Sequence, residues 1–525
     1  MNIIAMVRVA QSVLPGVARG GEGVATMAVE KRAASTYIDG AWVDGASGES
    51  YVSVSPSTEQ VLGETVTSST EQVDQAVAAA RKAFAESSEW RSWTPQMRAD
   101  ALNRFADILE REREPLSRLI ASEVGTPIAA CRSMQVGGPI EVLRWYAQMA
   151  VKGPRGGYEQ ALPHYHNPVA SGSLLCYEPV GVVACLPAYN YPLNLLVWKL
   201  GGAIAAGCTT VVLPSPQGAW TTLRVFELLD EVGLPPGVVN LVVGGPDIGI
   251  HLTSHPDVNM VSFTGSDAVG ARVMSQGALG SISKAVLELG GKSPNIILPS
   301  ADLPATVAAS ILRFARNAGQ GCAAWSRILV PEDRIDEFCR LADDFIKTIK
   351  VGDPLEEDTV VGPVISAAHR AKVEGWVDEL LGRGARWGAG GGRPEGLTTG
   401  HYLRPGLLRD VDPDDPLADT EFFAPIGMIF GYRDVDHAVE LANNTRYGLA
   451  GNVFGPLDEA IAVARRVRAG TVTVNGGSGM RPDAPWGGPG RSGVGRELGE
   501  DGFAEFFEVK HIQYALAGIT RPPGT

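Results

Sequence analysis

The chain has 525 residues, more than one hydrophobic core usually serves, so we expect two or three domains. Apolar residues make up 45% and charged residues 20%, which is typical of a folded, water-soluble protein. The net charge of −14 argues against nucleic acid and anionic membrane surfaces as partners. Six scattered cysteines without a CxxC pair favour reduced thiols in the cytoplasm, and no His or Cys spacing indicates a metal site.

Residues 1–34 differ in composition from the rest of the chain. A short apolar stretch ends at Arg8, and Gly-rich sequence follows it up to the first strand-like segment at Tyr37. We predict a disordered tail or a start codon placed too early, with Met27 as the true start. A transit peptide is the alternative, because the first acidic residue is Glu22.

The pattern from Glu71 to Glu123 is helical, with apolar residues recurring at intervals of three and four. From Gly181 the chain alternates between strands (GVVACL, TTVVLP, VVNLVV, MVSF, AVLEL) and helices such as PLNLLVWKLGGAIAAG. A second series begins at Pro294, with the strands NIILPS, SRILVPE, APIGMIFGY, AGNVFG and TVTVNG. This alternation predicts an α/β fold of two doubly wound parallel sheets with a ligand cleft between them.

The predicted domains follow from these two series. A cofactor-binding domain takes residues 35–152 and 179–290, and a catalytic domain takes 291–490. The segments 153–178 and 491–525 contain the extended runs VASGSLLCYEPV and FAEFFEVKHIQYAL, which we expect to pair as a small antiparallel oligomerisation layer and a C-terminal tail. Such a layer predicts a homodimer or homotetramer. The Gly-rich run at 388–396 is expected to be a flexible loop.

Cys322 stands out among the cysteines. It lies in NAGQGCAAWSR, a glycine-containing loop between a predicted helix and a predicted strand, and that position exposes the thiol to a ligand. Taken alone, a cysteine is more often a small buried hydrophobe, and we leave the other five with that interpretation.

Three further segments carry polar groups at strand ends. In LELGGKSP, Glu288 ends an apolar strand and points toward the cleft, although a solvated strand-end Glu is equally compatible. In LPAYNYP, Asn190 is a candidate oxyanion donor, or else a turn former before Pro192. In SFTGSDAVG, glycines flank the start of a helix, which suits a pyrophosphate but is weak evidence alone.

Together these segments resemble the aldehyde dehydrogenase superfamily, from about residue 37 to residue 516 in unbroken order. Further matches are EFFAP at 421–425, YGLAGNVF, AGTVTVN and PWGG…SGVGRELG, and the interval between Glu288 and Cys322 is similar to the family's spacing. The resemblance implies an NAD(P)-dependent oxidation of an aldehyde to a carboxylic acid. Cys322 would form a thioester, Asn190 would stabilise the oxyanion, and Glu288 would activate water, with Lys199 and Glu497 as a proton relay.

The resemblance also implies a cofactor site. The matching positions include a pyrophosphate loop at Gly265 and Ser266, and Glu421 and Phe423 at the nicotinamide and its ribose. The full set is Leu186, Pro187, Ala188, Tyr189, Leu213, Ser215, Pro216, Gly245, Phe263, Thr264, Gly265, Ser266, Gly270, Leu289, Gly290, Glu421 and Phe423.

The chain departs from the family at several cofactor positions. Leu213 and Pro216 stand where Lys and Glu usually hold the adenosine ribose, and Tyr189 replaces a usual Trp. Pro489 and Gly490 replace an aromatic-Lys pair. Since both the ribose acceptor and its charge are missing, we expect weak discrimination between NAD and NADP.

The matching substrate tunnel is lined by Tyr191, Asn194, Trp198, Gly321, Ala323, Met480 and Trp486. Aromatic walls beside small residues favour a medium or large, mostly apolar aldehyde. No basic residue occurs among these positions, so we expect a carboxylate-bearing semialdehyde to be disfavoured.

Three alternative functions are weighed against this prediction. A CoA-acylating dehydrogenase is disfavoured because such enzymes lack the general-base Glu. A cofactor-independent thiol esterase leaves the two α/β domains unexplained. A non-catalytic binding protein is improbable with all five catalytic positions intact.

Overall fold

The computed structural model describes residues 30–166, 170–477 and 480–516. The expected tail 1–34 extends too far, because Glu30–Arg32 is already a strand, paired in parallel with Val61–Val66. Ser50–Val54 completes this three-stranded sheet on the other side of Val61–Val66. Residues 1–29 lie outside the described part of the chain.

The first large sheet has eight strands, and its five central strands are parallel, as predicted. In spatial order the strands are Gly493–Val494, Lys284–Glu288, Met260–Thr264, Val182–Leu186, Thr209–Val212, Val239–Leu241, Ala34–Ile38 and Ala41–Asp44. The outer strands run antiparallel, which the sequence reading missed. One of them, Gly493–Val494, comes from the segment expected to serve oligomerisation, and it pairs with the strand that carries Glu288.

Helices cover both faces of this sheet. They are Thr70–Phe84, Glu89–Ser92, Pro95–Arg111, Arg113–Val124, Ile128–Ala130, Gly137–Lys152, Pro192–Ala206, Ala219–Leu229, Pro246–Thr253 and Asp267–Gly280, with a π-helical turn at Cys131–Val136. Local sequence explains their starts. At the first of them, for example, Ser69 and Gln72 form a reciprocal capping box, and Val73, Ala76 and Val77 turn inward. The Pro192–Ala206 helix is buried along its whole length, which explains its apolar sequence.

The second large sheet has seven strands and is parallel except at one edge. In order they are Arg386–Gly390, Gly406–Arg409, Ile426–Tyr432, Arg327–Pro331, Pro294–Ile297, Ala450–Phe454 and Thr471–Val474. The accompanying helices are Leu303–Ala315, Ile335–Ile346, Ala367–Gly382, Val435–Asn443 and Leu457–Ala464. The predicted Gly-rich loop begins later than expected, since Gly388–Gly390 belongs to the edge strand.

The two extended leftover segments pair as predicted. Phe507–Ala515 runs antiparallel to Ala170–Pro179, from Phe507 opposite Pro179 to Ala515 opposite Ser171. A third strand, Glu159–His166, extends this sheet on the other side. The residues before Phe507 are not extended as expected, because Gly499–Ala504 is helical. Within the described residues, no helix is long and apolar enough to cross a membrane.

Candidate active site

A cavity of about 1160 Å³ opens between the two α/β units, at the carboxyl ends of the first sheet's strands. Cys322, Glu288 and Asn190 all line it. Of the predicted cofactor positions, only Gly270 is absent from its wall. Gly270 packs instead against Leu289, whose side chain fills the space that a Cβ would need. All seven predicted tunnel residues line the cavity.

Cys322 lies in the turn before the Arg327–Pro331 strand and is the one cysteine of the chain that is not fully buried. The thiol is less exposed than the loop position suggested, and its surroundings disfavour a thiolate. Burial, with the negative charges of Glu421 and Glu288, raises the pKa of the Cys322 thiol to about 12. The thiol form therefore dominates at neutral pH, and its proton must leave when the sulfur attacks.

The two glycines after Glu288 bring the site's segments together. A side chain on Gly290 would collide with the carboxylate of Glu421, and one on Gly291 would collide with the carbonyl oxygen of Cys322. The sequence LELGG thus lets the strand that carries the base approach both the nucleophile loop and the cofactor-side carboxylate.

Glu288 is 3% exposed, and neither of its carboxylate oxygens has a hydrogen-bond partner among the described residues. Burial first, and the charge of Glu497 second, raise the pKa of Glu288 well above its ordinary value. A carboxyl group held in this way suits a general base whose ionised form is reactive and poorly solvated.

Behind Glu288 lies a buried ion pair. Lys199 Nζ donates to Glu497 Oε1 at 2.6 Å, and the two side chains are 0% and 3% exposed. Lys199 also donates to Thr264 Oγ1 at 2.8 Å, and Ser262 Oγ donates to Glu497 Oε1 at 3.1 Å. The two hydroxyls were missed by the sequence reading, since nothing in MVSFT marks them as part of a charged network. Glu497 is fixed beside this strand by paired backbone bonds with Trp486.

A second buried network positions Asn190. Its side-chain amide donates to Gln320 O at 3.0 Å, two residues before the nucleophile. Its own carbonyl accepts from Gln135 Nε2 and from Asn317 Nδ2, each at 3.0 Å. Thr126 Oγ1 donates to Asn317 Oδ1 at 2.6 Å and accepts from Gln135. Asn190 is therefore held by Gln135 of the π-helical turn and by Asn317 and Gln320 of the nucleophile loop, and it is more than a turn former.

The nucleophile loop has unusual backbone geometry. Asn317, Ala318 and Gly319 have φ values of 53°, 53° and 74°, the left-handed region that non-glycine residues rarely adopt. The bonds from Asn317 to its neighbours hold this conformation in place. Of these three positions, only Gly319 is a residue type that indicates a left-handed backbone from sequence.

Asn194 lies in the wall between the tunnel and the π-helical turn. Its Nδ2 donates to Met134 O at 3.0 Å, while its Oδ1 has no partner among the described residues. Nearby, Trp198 and Trp486 meet edge to face with their ring centroids 6.2 Å apart. The two rings form an aromatic part of the cavity wall.

Two arginines line the cavity that the sequence reading did not place there. Arg313 lies in the last turn of the Leu303–Ala315 helix and Arg316 just beyond it. The seven predicted tunnel positions contain no basic residue, but these two arginines reach the cavity from the helix that precedes the nucleophile loop.

Other cavity residues were also missed. The strand Ser50–Val54 contributes Tyr51 to Val54, and the hydroxyl of Tyr51 lies against Gly245. From the second unit come Ser366, His369, Lys372 and Trp376. These side chains belong to segments in which no motif drew attention.

The residues fit a dinucleotide. Gly265, Ser266 and Val269 line the cavity at the start of the 14-residue Asp267–Gly280 helix, whose free N–H groups suit a pyrophosphate. Burial raises the pKa of Glu421 to about 7, and its Oε1 accepts from Gly291 N at 3.1 Å. No group of three or more potential metal ligands occurs within the described ranges.

A half-buried thiol, a buried carboxyl group and an amide donor surround one dinucleotide-sized cavity between the two α/β units, an arrangement that suits a dinucleotide-dependent oxidoreductase. The profile of the aldehyde dehydrogenase family matches residues 42–512. The chain belongs to this family and acts on aldehydes as an oxidoreductase.

Curated and solved relatives agree with this membership. The chain is 38% identical to the geranial dehydrogenase of Castellaniella defragrans over 480 residues, 91% of this chain and 98% of that protein. Its structure is similar to aldehyde dehydrogenase C of Pseudomonas syringae in complex with NAD⁺ and octanal, with a TM-score of 0.86, 38% identity and coverage of 91% and 96%. Betaine aldehyde dehydrogenase of Staphylococcus aureus in complex with NAD⁺ gives a TM-score of 0.88, 35% identity and coverage of 93% and 97%.

Proposed function

We propose that this enzyme oxidises a medium or large aldehyde to a carboxylic acid through a thioester on Cys322, with NAD or NADP as hydride acceptor and hydrolysis by water. The observation that carries the proposal is the convergence of Cys322, Glu288 and Asn190 on one cavity, with the Lys199–Glu497 pair behind the base. These three groups supply a nucleophile, a base and an oxyanion donor.

The first step is the attack of Cys322 sulfur on the aldehyde carbon. The C–S bond forms as the thiol proton passes to solvent water in the cavity, and the electron pair of the carbonyl π bond moves onto its oxygen as negative charge. Asn190 Nδ2 and the backbone N–H of Cys322 donate hydrogen bonds to this oxygen. One of the two Asn190 amide hydrogens is engaged with Gln320 O, which leaves the other for the oxyanion.

The cofactor, when bound, supplies the acceptor for the hydride that leaves the tetrahedral carbon. Glu421 and Phe423 would hold its nicotinamide half, and Gly265 and Ser266 its pyrophosphate. Phe423 has a strained φ of 53°, and its backbone carbonyl pairs with His369 Nε2 at 2.8 Å, which holds the backbone of Phe423 at this wall.

Glu288 acts as the general base in hydrolysis of the thioester. The ionised carboxylate takes a proton from water as the water oxygen bonds to the acyl carbon. The C–S bond then breaks with release of the acid, and the leaving sulfur takes a proton from solvent water, which returns the thiol. The proton must afterwards leave a buried carboxyl group, and the Lys199–Glu497 pair with Ser262 offers a path of charged and hydroxyl groups behind it.

We also propose weak discrimination between NAD and NADP. Leu213 and Pro216 line the adenosine end of the cavity in place of charged ribose partners. A carboxylate is close by, but Glu123 already accepts from Trp220 N, Thr221 N and Thr221 Oγ1, where it caps the Ala219–Leu229 helix. These three bonds hold the Glu123 carboxylate at the helix start, so it does not replace the missing ribose acceptor.

The aromatic walls support an aldehyde with a sizeable apolar part. Tyr191, Trp198 and Trp486 line the cavity near the nucleophile, and Gly321 and Ala323 leave room beside Cys322. The family members that resemble this chain include one that bound octanal and one named for geranial.

Assembly and location complete the proposal. Val509, Ile512 and Tyr514 on the Phe507–Ala515 edge strand are 57%, 44% and 46% exposed, an unusual apolar surface for an uncovered strand. Covering it in a homodimer or homotetramer would bury these side chains. All six cysteines are free thiols, which supports the reducing cytoplasm.

One assay tests the proposed reaction. An aldehyde panel is incubated with NAD or NADP, with and without CoA, while reduced nicotinamide and the acid product are followed. Carboxylate formation that does not need CoA is expected. Formation of an acyl-CoA in place of the acid would favour the CoA-acylating alternative and contradict the assigned role of Glu288.

A further inference from the structure

Arg313 and Arg316 face the cavity from the helix that leads into the nucleophile loop. Arg313 lies in the last turn of Leu303–Ala315, and Arg316 follows as the helix ends. Their charges act on Tyr191, and the Arg313 guanidinium is near enough to Cys322 for the two groups to interact electrostatically. The two cations thus belong to the tunnel that leads to the reacting sulfur.

Neither arginine has an anionic partner among the described residues. Arg313 stacks on the Trp325 ring, 5.2 Å from its centroid, and makes no hydrogen bond to them. Arg316 Nη1 contacts only the Met134 sulfur, at 3.4 Å, and sulfur is a weak acceptor. Arg327, by contrast, is buried in the same unit but donates to four backbone carbonyls.

Burial disfavours the charged form of Arg313. Desolvation, with the neighbouring charge of Arg316, lowers the pKa of Arg313 below its ordinary value. Stacking on an aromatic ring offsets only part of the cost of removing a guanidinium from water. Two like charges side by side in a half-buried wall are stabilised when an anion binds between them.

We propose that Arg313 and Arg316 form a subsite for a carboxylate at the far end of the substrate, so that the enzyme acts on half-aldehydes of dicarboxylic acids. This inference rests on the proposed function and narrows its substrate class. The aromatic walls at Tyr191, Trp198 and Trp486 hold the hydrocarbon between the aldehyde and the acid. Arginine suits the acid end because its planar fork pairs with carboxylate oxygens.

The positions of Arg313 and Arg316 fit a substrate whose hydrocarbon lies between the aldehyde at Cys322 and the carboxylate at the cavity wall. Arg316 is exposed and lies opposite Met134 at the cavity wall, so a carboxylate there retains part of its hydration. Arg313 is half-buried and nearer to the apolar interior. The product of the reaction would be a dicarboxylate, which leaves past the same two cations.

The test compares ω-oxo carboxylic acids of increasing chain length with their methyl esters, which have the same length and no charge. At the best length, kcat/KM for the acid is expected to exceed that for the ester by at least about tenfold. Arg316→Met and Arg313→Met should each lower this acid-to-ester ratio by about tenfold or more. Arg340→Met, an exposed arginine of the Ile335–Ile346 helix, serves as the matched control and should leave the ratio unchanged.

A binding readout separates recognition from turnover. The dicarboxylate product should inhibit competitively against the aldehyde, and its inhibition constant should rise about tenfold in Arg316→Met. Arg316 is exposed, so this variant is informative even if Arg313→Met does not fold. A wild-type enzyme that oxidises the esters as well as or better than the acids would overturn the subsite while leaving the proposed function intact. Failure to oxidise any aldehyde would instead overturn the proposed function.

Discussion

Replacement of Glu288 by Gln separates the two halves of the proposed reaction. The amide keeps the shape of the side chain but cannot take a proton from water. Acylation of Cys322 does not require water to be activated by Glu288, so acylation should continue in the variant. Deacylation should slow by about 10²–10⁴, the range for the loss of a positioned general base, or about 3–5 kcal/mol in the barrier.

The structure indicates that this loss would not come from unfolding. Neither carboxylate oxygen of Glu288 has a hydrogen-bond partner among the described residues, so Gln breaks none of those bonds. The folded pKa of Glu288 lies well above its ordinary value, so ionisation of the carboxyl group costs stability once the pH exceeds the unfolded value. A neutral Gln removes that cost, and the variant should melt no lower than wild type at pH 8.

Stopped-flow measurement of reduced nicotinamide is the direct assay. Glu288→Gln should give a burst of about one equivalent per active site, then slow turnover, with an acyl adduct on Cys322 in the intact-protein mass. Glu395→Gln, at an exposed loop position, is the control and should turn over normally. Normal steady-state turnover in Glu288→Gln would show that another group activates the water.

Four further predictions follow from the same geometry. Cys322→Ala should abolish turnover, with less than about a thousandth of kcat retained, and Cys322 should alkylate before the five buried cysteines, at a rate that rises with pH because its pKa is about 12. A rate independent of pH between 6 and 9 would show a preformed thiolate. Glu497→Gln removes a charge that raises the pKa of Glu288, so the rising limb of the deacylation pH profile should move to lower pH; a shift to higher pH would contradict this coupling. In light scattering, a stable monomer of about 55 kDa at micromolar concentration would refute the use of the exposed edge strand in assembly. The ratio of kcat/KM for NAD and NADP should lie within about tenfold, and Pro216→Glu should shift it toward NAD; a wild-type NAD preference above about a hundredfold that Pro216→Glu leaves unchanged would refute the ribose argument.

The sequence predicted those parts of the fold and the site that depend on local pattern. Short apolar strands alternating with helices indicated the parallel sheets, because buried parallel strands need continuous apolar runs. The Glu288 and Cys322 segments could be recognised because glycines and chemistry-bearing residues stand together in each. The antiparallel pairing at the edges was missed, since Ala34–Ile38 meets a strand that is distant in sequence and Gly493–Val494 is only two residues long.

What could not be predicted are the groups that meet only in three dimensions. Arg313 looks like one charged residue on the face of an amphipathic helix, and nothing in its own helix shows that its neighbour in space is the tunnel and not solvent. The raised pKa of Cys322 has the same origin, because the charges that act on it come from Glu288 and Glu421, 34 and 99 positions away.

These distant groups make the site's charges depend on one another. The Glu288 and Glu421 carboxylates disfavour the Cys322 thiolate, and Glu497 disfavours the Glu288 carboxylate in turn, while Lys199 opposes that second effect. This arrangement thus favours a resting enzyme in which the thiol is protonated and ionisation of the Glu288 carboxyl group is disfavoured. Ionisation of the Cys322 thiol must then be coupled to the approach of the aldehyde carbon, and ionisation of Glu288 to the approach of water. This coupling protects the thiol from electrophiles in the solvent until a substrate fills the cavity. The Arg313 guanidinium stabilises negative charge near the Cys322 sulfur. A substrate carboxylate bound to Arg313 would neutralise part of this positive charge. The acid group of the substrate must therefore lie far enough from the aldehyde for Arg313 to keep its effect on the sulfur.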